Sequence, residues 1–314
     1  MNDLAFRAMG SDAHVIVLGG APDLADVARD RIDELEQRWS RFVEGSEVNR
    51  LTDGAGEWVA VSADTQLLVE RAVEGWRLSA GRVDPTVLGA VLRAGYDRPF
   101  EQLVADAEPV QSALLIGCTD IEVRSGEVRL PAGTGFDPGG IGKGLAADLV
   151  AAELVTDGAE GVCINLGGDL RLLGASPDGA GWTVAIEHPW RPDPLANVGL
   201  LDGAVATSTT LKRAWNSDGE RRHHLIDPTT GEPSTTDINL VTVIAGDAWK
   251  AEVLAKAVLL RGSDHPFDII GGTGAAALAV TDDGTILLSD GFAAFLGPDQ
   301  ELPVALSPLP TSQG

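Results

Sequence analysis

The sequence predicts an α/β (α+β) protein with mixed sheets. Apolar residues recur at intervals of three and four in several stretches, short β-rich runs cluster between 162 and 207, and glycine or proline separates them. Strands and helices alternate without the regular beat of a barrel or a doubly wound sheet. At 314 residues the chain accommodates one large domain or two ordinary ones. A single folded domain over 1–302, in one body or two lobes, is expected, with a loose tail at 303–314.

Residues 4–18 read as two short strands around MGSD, the second being HVIVL, which suits a hairpin entry into a sheet. From Pro22 to Trp39, apolar Leu24, Val27, Ala28, Ile32, Leu35 and Trp39 form a core-facing stripe opposite a charged face. Ser62 is placed to cap a helix that runs to about Ala80 and stops at Gly81. GRVDPTVLGAVLRAGYD reads as a turn and a short helix, and IEVRSGEVRL as a hairpin around Ser125 and Gly126. FDPGGIGKGLAAD launches a helix with Ile141, Leu145, Leu149, Val150 and Leu154 on one side and Gly158 as its stop. VCINLGGDLRLLG, WTVAIE, GAVATS and NLVTVIAG read as strands, and DAWKAEVLAKAVLLRG as a helix capped by Asp247.

Acidic side chains number 47 against 23 basic ones, a formal charge of −24 that argues against a nucleic-acid or anionic-membrane partner. A phosphate site in such a field must concentrate local donors. Lysines are few: Lys143, Lys212, Lys250 and Lys256. Cys118 and Cys163 lie far apart and show neither disulfide nor zinc spacing. No basic, apolar leader opens the sequence and no run approaches the roughly 18 apolar residues of a membrane span, so a cytoplasmic location without membrane insertion is expected.

The segment FDPGGIGKGLAAD invites comparison with phosphate loops. A P-loop fails twice, since Asp137 stands where the first glycine belongs and Gly144 where Ser or Thr must hold the metal. The dinucleotide fingerprint fails too, with Leu145 at the third glycine position. What remains is a glycine-rich turn at a helix N-terminus with Lys143 in the first turn. That is suited either to an anion or to close backbone packing alone.

Further segments combine small residues, an acidic group and a turn: MGSDAHV, SRFVEGSEVNRL, GRVDPTVLG, NLGGDLRLLG, ATSTTLKRAW, HHLIDPTTGEP and VTVIAGDAWKAEVLAKA. In this order, from about residue 8 to about residue 262, the series resembles the FAD:protein FMN transferases, the ApbE family. The resemblance implies an ApbE-like catalytic domain that cleaves FAD and attaches FMN through a phosphoester to a Ser or Thr of an acceptor protein, releasing AMP. It also implies site residues. Met9 and Phe42 would flank the flavin, Asp84 and Thr86 would contact the cofactor, and Gly139 and Gly140 would approach it with backbone. Gly142 would offer a carbonyl to a metal, Lys143 would neutralise phosphate or snorkel at the helix start, and Asp169 would be a polar handle on the ligand. Thr207 and Ser208 would offer hydroxyls to the phosphates. His224, in HHLIDPTTG, would be the base or the group placing the transferred phosphoryl, with Asp227 beside it, or would cap a turn by bonding to Asp227; His223 is left without a role.

Two departures stand out. Where the family helix carries Asp and then Thr as Mg²⁺ ligands, this chain has Glu252 and Lys256, and an ammonium cannot ligate a cation. Lys256 is expected to supply part of the positive charge, oriented by Glu252, and dependence on Mg²⁺ to be weakened or lost. Thr209 replaces a glycine and narrows the site. These departures motivate two alternatives: a catalytically silent FAD-binding protein, or an FAD pyrophosphatase yielding FMN and AMP.

Overall fold

The computed structural model describes residues 1–103, 110–217, 220–297, 300 and 302; the segment 303–314, expected to be a tail, lies outside them. Met9 and Gly10, at φ 50° and 64°, turn the chain between β1 (Asn2–Ala8) and β2 (Ser11–Leu18). Left-handed residues at both turn positions match the twist of the flanking strands. The sheet continues through β3 (Gly161–Leu166), β4 (Asp169–Gly174), β5 (Gly203–Thr209), β6 (Ile238–Ala245), β7 (Ala276–Thr281) and β8 (Ile286–Leu288). These eight strands pair antiparallel in chain order, so the fold mixes helices with several sheets while its central sheet is antiparallel throughout.

Alternation along each strand gives the sheet two apolar faces. Val15, Val17, Val162, Ile164, Val241 and Val243 pack under the helices α1 (Leu24–Trp39), α2 (Ala63–Leu78), α3 (Gly142–Thr156) and α4 (Ala248–Arg261). Leu172, Val205, Leu240, Ile244 and Leu278 face the other way, beneath a hairpin of Trp182–Ile186 with Ala196–Leu200 and the fully buried Phe292. A bulge between Ile238 and Leu240 resets the alternation, so Ile238 joins the helical side although it lies two residues from Leu240.

The helices begin near their expected positions. α1 starts at Leu24, and Val27, at the margin of its stripe, is exposed rather than core. Ser62 caps α2 by accepting from Thr65 N at 3.2 Å. α3 ends at Thr156 with Gly158 at φ 98°, and Ala159 N closes back onto Leu154 O at 2.9 Å.

α3 and α4 cap each other. The Asp148 carboxylate on α3 accepts from Ala248 N and Trp249 N at 2.9 Å, and Glu252 Oε2 on α4 accepts from Gly144 N at 2.7 Å. Asp247, expected as the cap of α4, makes no side-chain cap; its carboxylate turns to Lys250 at 2.8 Å because Asp148 already holds the free N–H groups. The crossing is tight, since a Cβ on Gly144 would stand 2.4 Å from the Ala248 carbonyl oxygen. Of α4, only Lys250 and Arg261 escape burial, so Glu252 and Lys256 belong to a helix sunk in the core.

Candidate functional site

A cleft of about 1260 Å³ opens where these elements converge, larger than the roughly 300–1,000 Å³ of an ordinary small-molecule pocket. Its walls are the β1–β2 turn, residues 39–43, the glycine turn leading into α3, the β3–β4 turn, the end of β5, residues 211–214, His224, and Glu252 and Lys256 of α4. In the glycine turn, Asp137 accepts from Gly139 N at 2.9 Å and Gly140 sits at φ 120°. Any Cβ there would meet Lys256 Cδ at 2.9 Å, so the turn is glycine because the lysine passes beneath it.

Two lysines stand at this turn in different surroundings, Lys256 buried and Lys143 partly exposed. Lys143 is ion-paired with Asp169 and lies 3.8 Å from Glu252 Oε1. Burial works against its charge, yet these two carboxylates outweigh it and hold it above the usual lysine range. Lys256 donates instead to the carbonyl oxygen of Gly139 at 2.9 Å. Burial lowers its pKa, opposed at longer range by Asp137, Glu252 and Asp84. The expected Glu252–Lys256 pair therefore does not form: Glu252 is taken up by Gly144 N and Lys143. Burial, and then Asp169, push the Glu252 carboxyl up to about 7.

His224 is partly buried, and its Nδ1 is shielded from solvent with no hydrogen-bond partner. Burial first, then Arg213, Lys256, His223 and Lys143, hold it well below the usual 6.5, so it is neutral near pH 7. The bond to Asp227 does not form, because that carboxylate closes its own turn by accepting from Thr229 N at 2.8 Å and Oγ1 at 2.7 Å. His223 is structural, with Nε2 at 3.0 Å from Ser234 O and Nδ1 accepting from Leu225 N.

Of the residues singled out by sequence, Met9, Phe42, Gly139, Gly140, Gly142, Lys143, Asp169, Thr207, Ser208, His224, Glu252 and Lys256 line the cleft. Asp84, Thr86 and Asp227 stand outside the lining. Asp84 accepts from Thr86 N at 2.7 Å, and Thr86 Oγ1 in turn accepts from Gly117 N, so this pair knits a buried turn. Thr207 shares its hydroxyl with Thr242 at 2.9 Å, and Thr209 turns its own to Asn239 O at 2.7 Å. Phe42 is exposed at the mouth rather than buried in the core.

Sequence reasoning passed over an aromatic and guanidinium group on the same wall. The Arg41 guanidinium lies 4.1 Å from the Phe42 ring centre and 4.4 Å from that of Tyr96, which meets the His224 ring edge-on at 6.3 Å. Arg213 reaches the Gly10 carbonyl at 3.0 Å, and Glu36 accepts from Met9 N at 2.8 Å. No local spacing reports these contacts, which join segments far apart in the chain.

The donor set does not fit a divalent cation. Among the described residues no three His, Cys, Asp or Glu side chains gather as ligands. Gly142 opens a helix, Glu252 is engaged twice over, and the ammonium of Lys256 occupies the oxygen of Gly139.

An antiparallel sheet flanked by helices, with a large cleft that presents two lysines and a neutral histidine beside a glycine turn, defines a protein built to bind and act on a large anionic ligand. The chain belongs to the ApbE family, whose sequence pattern matches residues 9–278. Its fold is similar to the crystal structure of the ApbE protein of Thermotoga maritima, with a TM-score of 0.85 and 27% identity over 94% of this chain and 99% of that one. It also resembles the flavin transferase ApbE of Vibrio cholerae, with a TM-score of 0.81 and 26% identity over 94% and 99% of the two chains. In sequence, an FAD:protein FMN transferase of Vibrio cholerae is 28% identical over 263 residues, 81% of this chain and 78% of its own. Among the described residues no helix is long and apolar enough to cross a membrane.

Proposed function

We propose that this chain is an FAD:protein FMN transferase: the hydroxyl of a Ser or Thr on an acceptor protein attacks the phosphorus of the FMN half of FAD. The bond to the AMP phosphate breaks, a phosphoester to the acceptor forms, and AMP leaves with the electron pair. The observation that carries this reading is His224, neutral and with an unpartnered Nδ1, in the wall of a cleft that also holds the ammonium groups of Lys143 and Lys256. A neutral imidazole with a free nitrogen takes the proton of the attacking hydroxyl. The cations stabilise charge on the phosphates as it shifts. Met9, held at φ 50° by the turn, and exposed Phe42 supply apolar and aromatic surfaces for a flavin ring.

The test is the intact mass of a flavin-acceptor domain after incubation with FAD and this protein. The expected result is a gain of one FMN that His224→Ala abolishes. Free FMN and AMP with an unmodified acceptor would identify a pyrophosphatase, and tightly bound, intact FAD would identify a silent flavin carrier.

A further inference from the structure

Lys143 and Lys256 raise a question of charge balance, because the interior tolerates an ammonium only where something answers it. Lys143 is answered by Asp169. Lys256 is not: it is 6% exposed, and among the described residues its hydrogen-bond partner is a neutral carbonyl, that of Gly139, with no carboxylate at ion-pair distance. The residue that would answer it from the same helix face, Glu252, is spent on Gly144 N and Lys143. The glycine turn leaves room for this side chain, since Gly140 lacks the Cβ that would strike its stem. The charge is therefore left over, and it faces the cleft.

We propose that Lys256 is a built-in counter-ion for the diphosphate of the dinucleotide, holding it without a divalent cation. This deepens the transferase reading and rests on it. Binding transfers the ammonium from the Gly139 carbonyl to a phosphate oxygen, a stronger, charge-assisted contact. Mg²⁺ has no place in this arrangement: the ammonium sits where an oxygen ligand would have to be, and a cation beside it would be repelled.

The test is the dissociation constant of FAD, read by flavin fluorescence in EDTA and in millimolar Mg²⁺, with riboflavin, which has no phosphate, as the companion probe. Native protein is expected to bind FAD equally in the two buffers, within about twofold. Lys256→Met is expected to weaken FAD at least about tenfold while leaving riboflavin unchanged, which also shows that the variant is folded. Loss of native FAD affinity on chelation, restored by Mg²⁺, would overturn the inference, as would a Lys256→Met protein that binds FAD as native does. If the native protein bound FAD in neither buffer, the transferase reading itself would fall, and the counter-ion with it.

Discussion

The helices α3 and α4 meet at the cleft, and their first turns are finished differently. α4 begins inside the protein with the N–H groups of Ala248 and Trp249 held by Asp148. α3 begins at the cleft after a turn of glycines, where Pro138 O takes Gly142 N and Glu252 takes Gly144 N. Similar backbone chemistry thus closes a structural joint at one end and forms part of the cleft wall at the other. The lysines follow the same division: Lys143 is paired with Asp169, while Lys256 has the Gly139 carbonyl and no carboxylate partner among the described residues.

That division breaks if the two lysines behave alike when replaced. The largest effect is expected from Lys143→Met, which leaves Asp169 and Glu252 facing each other; it should cost about 2 to 3 kcal/mol of stability in urea titrations of the ligand-free protein. Lys256→Met removes an unanswered buried charge and should be neutral or stabilising in the same titration. Next is Asp148→Ala, which frees two N–H groups and the Arg171 guanidinium at 3.2 Å, at a cost of about 1 to 2 kcal/mol.

A smaller effect concerns acid. His224 is held neutral below its unfolded value, so as pH falls through about 6.5 the unfolded chain takes up a proton that the folded one refuses, and stability drops. Glu252 and Asp148, raised to about 7 and about 6, act in the opposite sense, losing stability as pH rises from the ordinary carboxylate range. The histidine contribution is therefore the difference between native and His224→Gln curves. It should amount to about 1 kcal/mol between pH 6.5 and 5.5, and equal slopes would contradict the neutral assignment. The smallest change is Asp247→Ala, expected below about 0.5 kcal/mol, because this residue stands at the cap position without capping.

What the sequence conveyed and what it hid separate along the same line. The stripes of α1, α3 and α4, the Ser62 cap and the β1–β2 hairpin are local, and periodicity and turn chemistry reveal them. The cleft-lining residues were reachable through the order of small motifs and the family resemblance that order carries, although Thr207 and Ser208 lie in β5 and Glu252 and Lys256 in α4 rather than in turns. The cross-capping by Asp148 and Glu252 was not, because each contact spans at least a hundred residues and a carboxylate inside a helix looks like a solvated one until its partner is known. Asp247 drew the cap assignment for the same reason. Asp84 and Thr86 show the converse, a conspicuous turn whose polar atoms serve the turn itself.

The absent Cβ of Gly144 sets how closely α3 and α4 approach, and so fixes the spacing between Lys143 on one and Lys256 on the other. Where Lys256 stands beneath the glycine turn is thus written in main-chain distance, by a hydrogen atom where any other residue carries a side chain.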